Sequence, residues 1–438
     1  MQTINGFNFF PLHFDDKGTL ASQAELDAFC AGAQTATDAI LIAHGFRNSE
    51  ADATGLYTEF LATLGPNLAR AEFHPTIAGR TFVVGGVFWP SLAFNETPPG
   101  PASDEGGVRS IGDSADPLAG LKERLLDMKA TLAKVEDQPT LDQAIALLPT
   151  LEDDVDAQDR FVKLVLSIID QTQIEPMEGL DRIKTTEGST VLDNAGAIAK
   201  ASADAQSENE GGVQGLGSFF GGIAAKVGQF LNFTTWYVMK ARSGTVGATG
   251  VAAAVRGLHA KAPSVKIHLI GHSLGGRLMA GCAKTLSQNP VTQCDSVALL
   301  EAAFSHYGFS PDNGRGNVGF FREVMDGHVV KGPLVATFSA QDTVVGQVYA
   351  LASRLAGDNT KDLGDANDQF GGIGRNGALK LPPDETTFEP LHVAGAAYAR
   401  FESKKIVSLD GSNGFIKDHG DIKNADVTYL VATALSLT

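Results

Sequence analysis

The sequence predicts an α/β protein: a mostly parallel central sheet flanked by helices, interrupted by one large helical insertion. Three observations predict it. Short apolar runs such as "AILIAHG" (39–45), "TFVVGGVFW" (81–89) and "VKIHLI" (265–270) suit strands buried on both faces of a parallel sheet. Segments of helical period separate many of these runs. Between 92 and about 213 the alternation stops, and only helical patterns remain.

In chain order, "FNFFPLHF" (7–14) reads as an edge strand, because Pro11 breaks its ladder. "SQAELDAFCAGA" (22–33) is a helix with Ser22 as N-cap and Glu25 at the capping-box position. After the strand at 39–45, "GLYTEFLATLGPNL" (55–68) is helical and stops at Gly65-Pro66. The strand at 81–89 is closed by Pro90, and "FNETPPGPASDEGG" (94–107) is a turn-rich linker. Helices are expected at 117–135, 140–148 and 156–170; in the last, Phe161, Leu164, Val165, Ile168 and Ile169 share one face. "SADAQSENEGG" (202–212) is a polar loop, and 215–240 is apolar, glycine-rich and partly helical. Alternation then resumes: helix 246–260, strand 265–270, helix 275–286, strands 295–303 and 332–340, helix 345–356, strand 404–409 and helix 422–437. The expected organisation is a core of 1–91 and 235–438, with 92–234 as an inserted cap or lid.

The chain has 438 residues, 43% of them apolar, and a formal charge of −17. That charge argues against nucleic acid or an anionic membrane surface as a partner. Cys30, Cys282 and Cys294 form neither a disulfide framework nor a zinc spacing. "MQTINGFNFFPLHFDD" has no basic region followed by an apolar one, and no apolar run approaches the roughly 20 residues of a membrane span. The default expectation is a cytoplasmic protein.

The chemistry concentrates at "IHLIGHSLGGRLM" (267–279). A G-x-S-x-G pentapeptide alone is a weak signal. Between a strand and a helix it is the setting of a nucleophile elbow, with Ser273 at the sheet's carboxyl edge. Gly271 and Gly275 leave room for the tight turn. An elbow needs two oxyanion donors. The backbone N–H of Leu274 supplies one. The loop "LIAHGFRNS" (41–49) supplies the other, with Gly45 allowing close approach and Phe46 offering its N–H. The acid follows a later strand: Asp342 in "SAQD" (339–342), with Glu301 at the end of the preceding strand as the alternative. His419 in "DHGDI" (418–422) lies between the last strand and the last helix, where no other histidine lies. Asp418 and Asp421 beside it are solvated or cap that helix, and His272 points away from the serine.

On "AHGF", "GHSLGG", "SAQD" and "DHGDI", in that order, the chain resembles the α/β-hydrolase superfamily, in its lipase and esterase branch. The resemblance covers 40–435 outside the insertion. It implies an acyl-enzyme on Ser273, His419 as general base and then acid, Asp342 orienting it, and no metal or organic cofactor. The expected substrate is a small-molecule or lipid ester with an apolar acyl group. Amides, peptides and thioesters, acyl transfer to another alcohol, and a non-catalytic binding protein on the same scaffold are the alternatives. The segment 215–239, with Phe219, Phe220, Phe230, Phe233, Trp236 and Tyr237, is either a core helix or a mobile lid making interfacial lipid contact. The aspartates of 357–377 lack calcium-loop spacing, so that segment is a solvated loop.

Overall fold

Nine strands form one sheet in the order β1-β2-β4-β3-β5-β6-β7-β9-β8. They are β1 (Gln2–Ile4), β2 (Phe7–His13), β3 (Asp38–Ala43), β4 (Phe82–Phe88), β5 (Lys266–His272), β6 (Ser296–Leu300), β7 (Leu334–Phe338), β8 (Thr386–Pro390) and β9 (Ile406–Asp410). Only β1 runs antiparallel to its neighbour; every other pairing is parallel. The structure is a computed structural model and describes residues 2–92, 117–175, 179–197, 222–288, 291–346, 355, 366–398, 401 and 405–438.

The helices are α1 (Gln23–Ala33), α2 (Glu50–Leu68), α3 (His74–Ile77), α4 (Pro117–Thr131), α5 (Gln138–Leu147), α6 (Val155–Ser167) and α7 (Leu180–Thr185). They continue as α8 (Ile223–Thr245), α9 (Ala252–Lys261), α10 (Leu274–Ser287), α11 (Arg322–Asp326), α12 (Ile373–Asn376) and α13 (Ala425–Ser436). Alternation along β3 sorts them into two layers, because successive side chains point to opposite faces. Ala39, Leu41 and Ala43 join Phe29 of α1, Leu258 of α9 and Leu278 of α10. Ile40 and Ile42 join Phe60 and Leu61 of α2 and Leu430 of α13. Both faces are covered, which is why the central strands read as unbroken apolar runs.

The 92–234 block contains no strand among the described residues. Its helices are continuous with one face of the sheet: Leu121, Leu125, Leu141 and Phe161 share a core with Phe230, Leu231 and Phe233 of α8. The boundary expected at 234/235 falls inside α8, which carries the chain from the insertion into the sheet core. A π-helical turn at Val246–Val251 then joins α8 to α9. Phe219 and Phe220 lie outside the described residues. The described apolar residues of 215–239 face inward: Val227, Phe230, Leu231, Phe233, Trp236 and Tyr237 are all buried, which leaves no lipid-facing stripe on this part of the segment.

Several local expectations are corrected. β2 is not the edge strand, since β1 and β4 flank it. β1 covers only Phe7–Phe9, so no strand pairs with Pro11 on that side, and the missing N–H breaks no ladder there. Ser22 caps α1 without a side-chain bond. Glu25 turns instead to His13, accepting from its backbone N–H at 2.9 Å and meeting its Nδ1 at 2.8 Å. α2 runs past Gly65-Pro66 to Leu68, with Pro66 in its final turn. β8 escaped prediction because its five residues are only partly buried and end in proline. Most of the helix expected at 345–356 lies outside the described residues.

The amino ends of the strands are held by a buried ionic cluster. Asp38 opens β3 and is fully buried. The Arg80 guanidinium binds both its oxygens, with Nε–Oδ2 at 2.9 Å, and donates through Nη1 to the Leu435 carbonyl of α13 at 2.9 Å. Burial alone would raise the Asp38 pKa; hydrogen bonds from Arg80, His268 and Thr37 overcome it and hold the carboxyl well below the usual range. Replacing Arg80 with leucine leaves a buried carboxylate without its cation. Arg80→Leu is expected to cost about 3–5 kcal/mol in urea unfolding, and a loss under 1 kcal/mol would refute this role.

Candidate active site

Ser273 sits between the end of β5 and the start of α10 with φ 57° and ψ −126°. This is a strained backbone for a residue with a side chain, costing about 1–3 kcal/mol. Ser273 is held from both sides: its N–H donates to the Leu300 carbonyl at 3.1 Å, and its carbonyl accepts from Ala303 N–H at 3.0 Å. Arg47 (φ 60°) and Glu301 (φ 46°) are strained in the same sense. All three lie at or just beyond the carboxyl ends of β3, β5 and β6, neighbours in the sheet. In parallel α/β sheets that edge is where reactive groups gather.

The glycines around the turn are required by contact. A Cβ on Gly271 would lie 2.3 Å from the Gly275 carbonyl oxygen, and one on Gly275 would lie 2.3 Å from that of Ala43. A Cβ on Gly45 would meet Ser273 Cβ at 2.7 Å and its Oγ at 3.2 Å. The loop after β3 therefore rests directly against the serine.

That loop is fixed by bonds to its backbone groups. Tyr57 hydroxyl donates to the Val87 carbonyl at 2.5 Å and accepts the His44 N–H at 3.0 Å. Trp89 Nε1 donates to the His44 carbonyl at 3.0 Å, and His44 Nδ1 donates to the Gly45 carbonyl at 3.0 Å. Asn48 Nδ2 donates to the Phe46 carbonyl at 3.0 Å. Among the described residues, neither the Phe46 N–H nor the Leu274 N–H has an acceptor. Two donors without an acceptor thus belong to the residue after Ser273 and to the loop that rests against it, the first at the N-terminus of the 14-residue α10. Such a pair favours an oxyanion.

The structure pairs His419 with Asp342, not with Glu301. His419 Nδ1 lies 2.8 Å from Asp342 Oδ2. A carboxylate partner assigns the proton to Nδ1 and leaves the Nε2 lone pair able to accept one. The other Asp342 oxygen accepts the Val345 N–H at 2.8 Å. Arg375 Nη1 braces the turn by donating to the Ala340 carbonyl at 2.6 Å and the Asp342 carbonyl at 3.1 Å. Asp418 and Asp421 accept the Gly420 and Lys417 N–H groups and shape the His419 loop. The cap of α13 is Asn424. No hydrogen bond joins Ser273 Oγ to His419; in unliganded sites such bonds are often long or unformed.

His272 was not expected to contribute, yet it connects the two halves. Its Nε2 donates to the His419 carbonyl at 2.7 Å, and the two rings lie 4.7 Å apart. Its Nδ1 lies 3.4 Å from where a Gly45 Cβ would be, the position that also touches Ser273 Oγ. Burial, then the neighbouring His419, push the His272 pKa down to about 3. The ring is neutral and serves as a fixed donor. Its place inside the G-H-S-L-G motif was the available signal.

Glu301 is buried beside this pair, and neither carboxyl oxygen has a hydrogen-bond partner among the described residues. Donor atoms of Glu301, Asp342 and His419 lie within 4.8 Å of one another, the spacing of a possible metal site. The His419–Asp342 hydrogen bond already engages two of these groups.

A second serine–histidine–aspartate chain exists and is better bonded. His268 Nδ1 lies 2.8 Å from Ser296 Oγ, and its Nε2 lies 2.8 Å from Asp38 Oδ1. It sits toward the amino ends of β3, β5 and β6, is buried throughout, and shares its acid with Arg80. It joins strands and presents no face to a substrate.

Compared with family models, curated proteins and solved structures, the chain matches none of them.

Two expectations follow. His44, His268, His272 and His306 are all buried with lowered pKa values, first through burial. Below pH 6.5 the unfolded chain protonates these rings before the folded protein does, so stability falls as pH falls. From pH 7 to 5 the unfolding free energy from urea titration is expected to drop, by up to about 2 kcal/mol per histidine, and an unchanged value would exclude neutral buried rings. His272→Phe keeps a ring but removes the donor to the His419 loop. It is expected to lower kcat about tenfold with little change in KM, and unaltered kcat would remove His272 from the site.

Proposed function

We propose that this protein is a serine hydrolase of the α/β-hydrolase type that cleaves carboxylic esters with an apolar acyl group. The observation that carries the proposal is the strained Ser273 elbow, with the His419–Asp342 pair in the neighbouring loops. In this mechanism His419 Nε2 takes the proton from Ser273 Oγ as the oxygen attacks the ester carbonyl. The oxyanion is received by the N–H groups of Phe46 and Leu274. Asp342 stabilises the imidazolium, which returns its proton to the leaving alcohol. Water, activated by the same histidine, then releases the acid from Ser273.

The surroundings favour an apolar acyl group over a charged one. Phe46 meets Trp236 of α8 edge-on at 6.1 Å, so a helix joining the insertion to the core reaches the oxyanion loop. The chain's acidity disfavours anionic substrates through long-range repulsion.

Ser273→Ala is expected to abolish turnover of p-nitrophenyl esters while the fold persists, and His419→Ala to lower it about 10³-fold or more. Ser296→Ala, in the chain at the other end of the strands, is expected to leave turnover unchanged. Equal loss in Ser273→Ala and Ser296→Ala would refute the assignment. Rates along a series of acyl lengths measure the pocket, and a preference for amides or thioesters over matched esters would change the substrate class.

A further inference from the structure

Glu301 is unusual on three counts that do not depend on one another. It has φ 46°, and its backbone is locked there: its N–H donates to Thr337 Oγ1 at 3.0 Å, and a Cβ on Gly374 would lie 2.5 Å from its carbonyl carbon. Its neighbours Leu300 and Ala303 make the two backbone bonds that hold Ser273. Its carboxyl is fully buried, has no hydrogen-bond partner among the described residues, and lies within 4.8 Å of both the Asp342 carboxylate and a His419 nitrogen. A buried polar group without a partner costs free energy, and a position under backbone strain adds to it. Among the described residues, the charged groups acting on it are Asp342, Asp418 and Asp421, all negative, and His419 is the ring within reach. Arg375 on the adjacent α12 spends its Nη1 on backbone carbonyls. Burial first, and the Asp342 charge second, raise the Glu301 pKa well above its ordinary value, which favours the protonated form.

We propose that Glu301 is a second carboxyl serving His419: a neutral positioning group beside the Asp342 carboxylate, and the histidine's ionised partner once Asp342 is neutralised. The proposal rests on the serine-hydrolase reading of the site. With Asp342 ionised, a second anion in the same buried space is disfavoured, and the pair holds one proton. In Asp342→Asn that repulsion is gone while burial, the larger cause, remains, and the His419 Nδ1–H becomes available to stabilise the Glu301 carboxylate against it. Glu301 then releases its carboxyl proton to solvent, and its carboxylate accepts the His419 Nδ1–H. The correct tautomer is kept, with Nε2 free to take the serine proton.

The test is a double-mutant cycle on ester turnover with Asp342→Asn, Glu301→Gln and the double variant, each checked for folding by thermal melting. Loss of a triad carboxylate with no substitute costs about 10⁴-fold. The expected result is a loss of about 10²-fold or less in Asp342→Asn, a further tenfold or more in the double variant, and about threefold or less in Glu301→Gln alone. The residual activity of Asp342→Asn should fall on the acid side at a higher pH than wild type, because Glu301 must ionise first. That acid limb should vanish in the double variant. The downfield proton resonance of His419 Nδ1 gives an independent readout, expected to persist in Asp342→Asn and disappear in the double variant. Glu301→Met substitutes for Glu301→Gln should the amide variant not fold. An equal factor for the Glu301 substitution in both backgrounds, with turnover still dependent on Ser273, overturns the role of Glu301 alone. Turnover unaffected by Ser273→Ala overturns the hydrolase reading and this proposal with it.

Discussion

The arrangement depends on how closely two stretches of backbone approach at the carboxyl edge of the sheet. The turn after β5 lies against the loop after β3 with no room for a side chain: the Cβ positions of Gly45, Gly271 and Gly275 are all occupied by neighbouring atoms. The approach places Gly45, the residue before Phe46, directly against Ser273. It also forces Ser273 into a strained conformation, which the Leu300 carbonyl and the Ala303 N–H keep in place. Such strain persists only where surrounding bonds over-determine it. Here they come from β6 and from the His44, Tyr57 and Trp89 network under the β3 loop.

Much of this was legible in the sequence because it follows from chain order and local composition. Unbroken apolar runs marked β3 to β7 and β9, since each is covered on both faces. Gly-His-Ser-Leu-Gly-Gly between strand and helix marked the elbow. Asp342 was favoured over Glu301 from its place past β7, and His419 was chosen as the histidine after the last strand; those two are hydrogen-bonded. What was not legible depends on contacts between distant segments. Glu25 satisfies His13 rather than completing a capping box, and β2 gains an outer partner from only three residues of β1. β8, short and half-exposed, lacks the apolar run that betrayed the other strands. The link from His272 to the His419 carbonyl joins residues 147 apart, and no periodicity reports such a bond.

The two serine–histidine–aspartate chains show why composition alone does not define a site. Ser296, His268 and Asp38 have better hydrogen bonds than Ser273, His419 and Asp342, yet they are sealed at the amino ends of the strands and locked by Arg80. Ser273 differs from that serine in lying at the N-terminus of a 14-residue helix, with a strained backbone, and its turn is joined through His272 to the loop of His419, whose Nδ1 is engaged by Asp342. Poorer bonding in the resting site fits a group that must exchange partners during a reaction. The insertion shares one core with that side of the sheet, and α8 brings Trp236 to Phe46. The insertion therefore reaches the loop after β3 through α8.

The most direct test of this account is covalent. The protein is treated with a fluorophosphonate, the intact mass is measured, and the labelled peptide is sequenced. An activated Ser273 predicts one adduct per chain, on the peptide that carries Ser273, lost in Ser273→Ala and slowed in His419→Ala. An adduct on Ser296 or another serine, or ester turnover that continues with Ser273 unmodified, would contradict it.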